Sequence, residues 1–328
     1  MEDEKVEYIN LGRTGLHVSR ICLGTMNFGA VTEEKEAFRI MDAALDAGIN
    51  FIDTANNYGQ IVGKMGITET IIGRWFAQGD GRRERTVLAT KVHEDMGNPY
   101  DGPNTVPGLS AYKIRRHLRA SMERLQTEHI ELYYMHHIDR NCSFEELWGT
   151  FQALFQEGKI DYVGASNFPA WKIVQAQEKA VMRHFLGIAV QQERYSLVAR
   201  SIESEVLPAC KEYGIGVVTW APLGGGLLAG NVDNMARRKG NSAKIKLYEN
   251  QLRAYSKLCF DAGLKEEDVA LAWILNNPII TAPVIGPRTY EQFESSLKAL
   301  EIKLPSDMLA DLDKIFPGPG IAPEAYAW

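Results

Sequence analysis

Asp53, Tyr58, Lys91 and His136 are the side chains of this chain best suited to chemistry. Each lies at or just past the end of a short apolar run. INFID ends on Asp53, TVLATK on Lys91 and IELYYMH on His136, while Tyr58 follows Asp53 in the loop DTANNY. A free phenol has a pKa near ~10 and is a weak acid at neutral pH. An ammonium beside it stabilises the phenolate and improves proton donation. Lys91 can supply that charge, Asp53 can pair with Lys91 and hold it, and His136 can hydrogen-bond and orient a carbonyl oxygen. The set predicts a tuned proton donor for a carbonyl group. Taken singly, each has a structural explanation, an Asp53–Lys91 ion pair or a lid aromatic at Tyr58, because ion-pair networks also perturb pKa values.

His136 and His137 are adjacent, with Asp139 close by, which raises the question of a metal. Neighbouring strand residues point to opposite faces, so the two rings are not expected to share one ion. No third His or Cys stands at ligand spacing. The expectation is no metal.

The elements that must position these residues repeat along the chain: an amphipathic helix, a glycine, then a short buried strand. In EEKEAFRIMDAALDAGINFID, Phe38, Met41, Ala44 and Leu45 share a helical face and Gly48 can take the left-handed stop. In SFEELWGTFQALFQEGKIDYVGASN, Ser143 and Glu146 can form a capping box and Gly158 ends the helix. Gly214 plays the same part in SIESEVLPACKEYGIGVVTWAPLG. Strands are predicted to begin near Ile21, Ile49, Thr86, Ile130, Ile160, Ile188, Ile215 and Ala282. Strands alternating with helices imply a parallel sheet, and eight such units favour a closed (β/α)₈ barrel, with reactive groups gathered at the strand ends. An open doubly wound sheet is the alternative, but no G-x-G-x-x-G follows the first strand. The segment YINLGRTGLHVSRICLG reads as a hairpin turning near Thr14-Gly15 that plugs the barrel's N-terminal end. No linker divides residues 1–328, so one domain is expected. The long connections Val92–Leu109 and Leu223–Asn250 follow strands and should overlie the reactive face. The tail FPGPGIAPEAYAW is expected to be extended.

Further segments fall at the same face. In GASN, Asn167 can cap the helix after Pro169, or join Ser166 in binding a carboxamide. Trp220 is either a packing residue or a flat wall for an aromatic ring. LGGGLLAG lets backbone amides approach an anion. In GPRTYEQ, Thr289 and Gln292 can cap a helix whose N-terminus favours phosphate, and Arg288 adds a cation. Barrels of this kind often bind phosphate after the seventh and eighth strands.

The composition excludes several partners. A net charge of −6 over 328 residues gives no global attraction to nucleic acid or anionic membrane. No run approaches a membrane span, and the start MEDEKVEYIN is unlike a signal peptide. Cys22, Cys142, Cys210 and Cys259 are scattered without a C-x-x-C, which predicts mostly buried free thiols in a reducing cytoplasm.

Taken together, LGRTGLHVSRICLGTMNFG, INFIDTANNYG, VLATK, IELYYMHHID, GKIDYVGASNF, VQQERYSL, VTWAPLGGGLLAG and APVIGPRTYEQ resemble the aldo-keto reductase family, in family order from Leu11 to about Leu300. The resemblance implies a (β/α)₈ barrel that binds extended NADP(H) without a Rossmann domain and reduces a small-molecule carbonyl substrate. It maps the catalytic tetrad onto Asp53, Tyr58, Lys91 and His136, and carboxamide binding onto Ser166, Asn167 and Gln192. Trp220 matches the aromatic that stacks on nicotinamide, and Ala221, Pro222, Leu223, Gly224, Gly226 and Leu228 the pyrophosphate strap. Gly24, Thr25 and Met26 after the first strand, and Gly286, Arg288, Gln292 and Ser296 after the eighth, complete the implied cofactor set. Two departures stand out. QIVGKMGI is inserted after Tyr58-Gly59, and Ser295-Ser296 replaces the usual Glu-Asn pair near adenine. GRWFAQGDGRRERTVLATK, MHHIDR and IFPGP resemble a bacterial branch that includes reductases of nucleotide-linked deoxysugars. Two other functions compete: a regulatory subunit, since potassium-channel β-subunits resemble this family, and a Schiff-base aldolase using Lys91. An ammonium held charged by Asp53 argues against the aldolase, which needs a neutral amine. The sequence specifies no assembly state.

Overall fold

Eight of the short apolar runs pair side by side and close on themselves. A computed structural model describes residues 6–230 and 242–327. The hairpin is β1 (Tyr8–Asn10) and β2 (His17–Ser19). The barrel strands are β3 (Cys22–Gly24), β4 (Phe51–Asp53), β5 (Val87–Val92), β6 (Ile130–Met135), β7 (Ile160–Ser166), β8 (Ile188–Arg194), β9 (Gly216–Trp220) and β10 (Ile280–Ile285). They are parallel and run in chain order around the barrel, with β10 closing onto β3. Every predicted strand is present. Their register puts Asp53 beside Ala89, Lys91 beside Tyr134 and Arg194 beside Trp220.

Strand alternation divides the side chains into two cores. Cys22, Phe51, Val87, Ala89, Leu132, Tyr134, Val190, Val218 and Ala282 point inward and pack together. Their neighbours, such as Ile52, Leu88, Tyr133 and Val217, point outward and pack against the surrounding helices. The hairpin's Leu11 and Val18 join the inner cluster. Arg13 donates to the carbonyls of Tyr213 and Leu186, just ahead of β9 and β8. The hairpin therefore plugs the N-terminal end, as expected, and the C-terminal ends form the open mouth. Gly12 is required there, because its φ is +57° and a Cβ would sit 2.4 Å from Gly216 N.

Local signals hold with some corrections. Gly48, Gly158 and Gly214 take the left-handed stops at φ 87°, 65° and 63°. Ser143 Oγ accepts from Glu146 N, but Glu146 does not reach back; its carboxylate accepts from Ala111 N on a neighbouring helix. Only half of the capping box forms, since the helix-to-helix bond competes for the same oxygen. The tail is not wholly extended: Glu324–Ala327 turns into a short helix. The cysteines are free, with Cys22, Cys210 and Cys259 buried and Cys142 partly exposed. Among the described residues no helix is long and apolar enough to cross a membrane. The acidic residues 1–5, and residues 231–241 of the Leu223–Asn250 connection, lie outside the described residues.

Candidate active site

The four residues singled out by their spacing meet at the mouth. Asp53 and Lys91 end β4 and near-end β5 on the inward parity, and both are buried. Lys91 Nζ donates to Asp53 Oδ2 at 2.5 Å, to the Thr54 carbonyl at 2.9 Å and to Tyr58 Oη at 3.1 Å. An ammonium has three hydrogens and no acceptor, so all three are engaged. In the bond to Lys91 the phenol is the acceptor, which leaves its own hydrogen for another group. The second carboxylate oxygen, Asp53 Oδ1, accepts from Gln192 Nε2 at 2.8 Å. The His136 ring stands edge-on to Tyr58 with centroids 6.1 Å apart.

The electrostatics refine the expectation from sequence. Burial raises the Tyr58 phenol above its ordinary value, and the Lys91 ammonium opposes that rise. The ammonium thus limits a desolvation penalty rather than producing a net more acidic phenol. Burial pulls Lys91 down, but Asp53 and Tyr58 carry it above the ordinary lysine range, so it stays charged. Burial, with Lys91 second, holds His136 well below the usual imidazole range, so its ring is neutral.

The adjacent histidines overturn the argument from alternation. His136 and His137 lie just beyond the end of β6, where strand parity has lapsed, and their rings stack 4.8 Å apart at an interplanar angle of 5°. His93 stands edge-on to His137 at 5.3 Å, and Glu94 accepts from His93 Nδ1. The wall of rings therefore continues from Tyr58 out to the rim. Among the described residues, no group of three or more His, Cys, Asp or Glu side chains is placed to hold a metal ion.

Asn167 is not a helix cap. The following helix begins at Ala170 with Pro169 at its N-cap, and Asn167 takes the left-handed conformation at φ 60°. That turn aims its amide into the mouth, where Nδ2 donates to Ser166 Oγ and to the His136 carbonyl. Trp220 Nε1 donates to Asn167 Oδ1 at 3.1 Å, and the indole remains partly exposed. Ser166, Asn167, Trp220 and the tetrad thus form one connected surface.

The remaining residues of the implied cofactor set have mixed placements. Gly24 is packed so closely that a Cβ would lie 2.4 Å from Val284. Thr25 is fully buried and gives both its amide and hydroxyl to the Asp53 carbonyl. Met26 is exposed. After β9, Ala221 takes a left-handed φ of 53°, as do Gly224 and Gly226 at 60° and 93°. The amides of Gly224, Gly226 and Leu228 close turns onto Ala221 and Leu223, so these three are not open to an anion. Pro222 and Leu228 are buried, and Leu223 is partly exposed. At the far end Gly286 accepts from Asn27. Arg288 is exposed and forms no ion pair among the described residues. Thr289 Oγ1 accepts from Gln292 N as expected of the cap, whereas Gln292 Oε1 accepts from Arg288 N, one residue before the N-cap amide that a capping box would engage. Glu36 accepts from Tyr290 N, placing a carboxylate on the same helix start. Ser296 bonds back to the Gln292 carbonyl of its own helix. A cation beside a capped helix start suits a phosphate, and the Ser166–Asn167–Trp220 surface suits a planar carboxamide-bearing ring.

Sequence reasoning passed over several residues at this face. Arg194 and Glu193 were visible only as parts of a longer motif, and the signal for Arg194 was its parity with Val190 and Gln192; His137 was weighed only as a metal ligand. Of the polar residues on the Val92–Leu109 connection, Asp101 is buried against Arg116 and His117, and Asp95 and Asn98 accept from nearby backbone amides.

Comparison with known proteins agrees with this geometry. The sequence pattern of the Aldo/keto reductase family matches residues 20–316. The chain is 56% identical over 328 residues to a protein of Bacillus subtilis named uncharacterized oxidoreductase YrpG, covering 98% of this chain and all of the relative. It is 30% identical to norsolorinic acid reductase B of Dothistroma septosporum, over 96% of this chain and 83% of that one. It is also 31% identical to a probable voltage-gated potassium channel subunit beta of Oryza sativa, over 90% of this chain and 92% of that one. The family and the first two of these relatives support an oxidoreductase activity. The chain belongs to the aldo/keto reductase family.

Proposed function

We propose that this protein is an NADPH-dependent carbonyl reductase that converts an aldehyde or ketone to an alcohol, with Tyr58 as the proton donor. The observation that carries this reading is the Lys91 ammonium bonded at once to Asp53, Thr54 and Tyr58. Ser166, Asn167 and Gln192 would hold a nicotinamide carboxamide, Trp220 would offer its ring a flat surface, and Arg288 would take the adenosine phosphate. The reduced dinucleotide, when bound, supplies a hydride to the carbonyl carbon. Tyr58 Oη gives its proton to the carbonyl oxygen as the π pair moves onto that oxygen. Lys91 stabilises the phenolate left behind, and solvent water returns the proton. His136, being neutral, offers its ring to the same oxygen without competing as an acid. Asp53 keeps Lys91 charged, which counts against a Schiff base at that amine.

The substrate class proposed is a polar, hydroxyl-bearing carbonyl compound, with a keto-sugar or its nucleotide conjugate first. Its support is the inserted loop after Tyr58 and the His93, Glu94 and His137 rim. A site built to bond hydroxyls rejects analogues that lack them. A panel of keto-sugars and simple aldehydes, followed by loss of NADPH absorbance, tests the proposal. Higher kcat/KM for apolar aldehydes than for every keto-sugar would replace it with a broad aldehyde reductase. Absence of turnover with any carbonyl would favour a regulatory subunit of the kind that the channel-subunit relative's name describes.

A further inference from the structure

We propose that Arg194 is an oxyanion-binding residue at the barrel mouth, beside Trp220. The parity of β8 fixes its direction. Val190 packs in the inner cluster and Gln192 reaches Asp53, so Arg194, two residues on, projects from the mouth end of the same inward row. Its guanidinium lies 5.8 Å from the centroid of the Trp220 ring, on the strand directly paired with its own. Trp220 in turn donates to Asn167, whose amide donates to the His136 carbonyl. Arg194 thus belongs to the surface that holds Tyr58, yet the chemistry described above gives it nothing to do.

Its lack of partners is what points to a ligand. Arg20, Arg82, Arg83, Arg116, Arg124 and Arg200 are likewise partly buried, and each donates to a carboxylate or a backbone carbonyl. Arg194 differs from them among the described residues. Among the described residues its Nε is buried without an acceptor, and no carboxylate lies within ion-pair distance. A buried guanidinium N–H is costly to leave unpaired. The fork of Nε and Nη matches two oxygens of a carboxylate or phosphate. The indole ring beside it favours a cation. A row of inward groups that ends in an unpaired guanidinium is therefore built for an oxygen anion that arrives from outside. Two sources share this chemistry: an acidic group on the carbonyl substrate, or the phosphates of the dinucleotide. The nucleotide-linked sugars favoured above carry such a group, and to that extent the inference rests on the proposed function.

The test compares the full-length protein with Arg194→Gln and Arg194→Lys. Dinucleotide affinity is measured by fluorescence titration, and reduction kinetics with 4-carboxybenzaldehyde and benzaldehyde. For an acidic substrate group, Arg194→Gln lowers kcat/KM for the carboxylated aldehyde by about tenfold or more, through KM, and leaves benzaldehyde within about twofold. For the dinucleotide phosphates, Kd for NADPH and NADH rises about tenfold and the ratio between the two aldehydes stays put. Arg194→Lys keeps the charge without the fork and recovers part of either loss. Should Arg194→Gln fail to fold, Arg194→Lys alone shows an intermediate loss in the same measurements. A folded variant with unchanged dinucleotide affinity and an unchanged aldehyde ratio overturns the proposal. If the unmodified protein reduces neither aldehyde, the keto-sugar panel described above decides the reductase reading separately. Calorimetric titration with inorganic pyrophosphate then decides: binding that Arg194→Gln weakens supports the oxyanion role, and equal or no binding overturns it.

Discussion

Gln192 Nε2 donates to Asp53 Oδ1 at 2.8 Å, on the carboxylate oxygen that Lys91 leaves free. The bond crosses the barrel lumen from β8 to β4 and fixes the plane of the carboxylate, so that Oδ2 meets the ammonium at 2.5 Å. Gln192 is thereby tied to the Asp53–Lys91–Tyr58 chain as well as to the surface that suits a carboxamide. Gln192→Leu should lower kcat for carbonyl reduction by roughly tenfold, because a hydrogen bond to a charged group is worth about 1.5–3 kcal/mol. Unchanged kcat with weaker dinucleotide binding would assign Gln192 to the carboxamide alone.

Tyr58→Phe should remove most carbonyl reduction while leaving dinucleotide affinity nearly intact. The phenol gives a proton in the transition state and little to the cofactor. General acid catalysis contributes about 10²–10⁴-fold, so kcat should fall by at least that much. Turnover like that of the unmodified protein would end the assignment of Tyr58 as the acid.

NADPH should be preferred over NADH, and Arg288→Ala should erode the preference. Arg288 is exposed and, among the described residues, has no acidic partner at the start of the helix Tyr290–Leu297, where a 2′-phosphate can accept charge-assisted bonds. Glu36 on Tyr290 N sets an opposing charge at the same place and should keep the preference modest. Titration of both dinucleotides, before and after the substitution, checks this; equal affinities in the unmodified protein would count against it.

Glu193 should make stability fall as the pH rises from about 4.5 to about 7. Burial pushes its carboxyl up to about 7 from 4.5, against the bonds it accepts from Gln191 and from the Phe168 and Arg194 amides. In that window the folded chain keeps a proton that the unfolded chain has lost. The stabilisation is therefore complete below the window, is lost through it, and levels off above it. The effect is about 3 kcal/mol at most, at about 1.4 kcal/mol per pKa unit. Denaturant unfolding of the unmodified protein and of Glu193→Gln at pH 5 and pH 8 should show the difference turning against the unmodified protein at pH 8. A difference independent of pH would show that Glu193 is not held protonated.

Much of the architecture follows from local pattern. The apolar runs, the left-handed glycines at 48, 158 and 214 and the hairpin at the N-terminal end are short-range consequences of side-chain periodicity and backbone sterics. That information lies in neighbouring residues, so it can be read along the chain. The meeting of Asp53, Lys91 and His136 follows from the same logic, since parallel strands in a closed barrel bring their C-terminal ends together.

What only the tertiary structure decided lies where parity lapses or where distant groups compete. His136 and His137 stack because they sit beyond the strand, where alternation no longer rules. Asn167 leaves its helix for the mouth because His136 and Trp220, at the ends of other strands and far apart in the chain, join its neighbour Ser166 in bonding its amide. Glu146 abandons its capping box for Ala111 on another helix. The net rise of the Tyr58 phenol comes from burial, a property of the packed whole that outweighs the neighbouring ammonium. The unpaired Arg194 is visible only once the groups around it are known. Sequence sets which side chains can face one another; packing sets which of them keep a partner and which are left for a ligand.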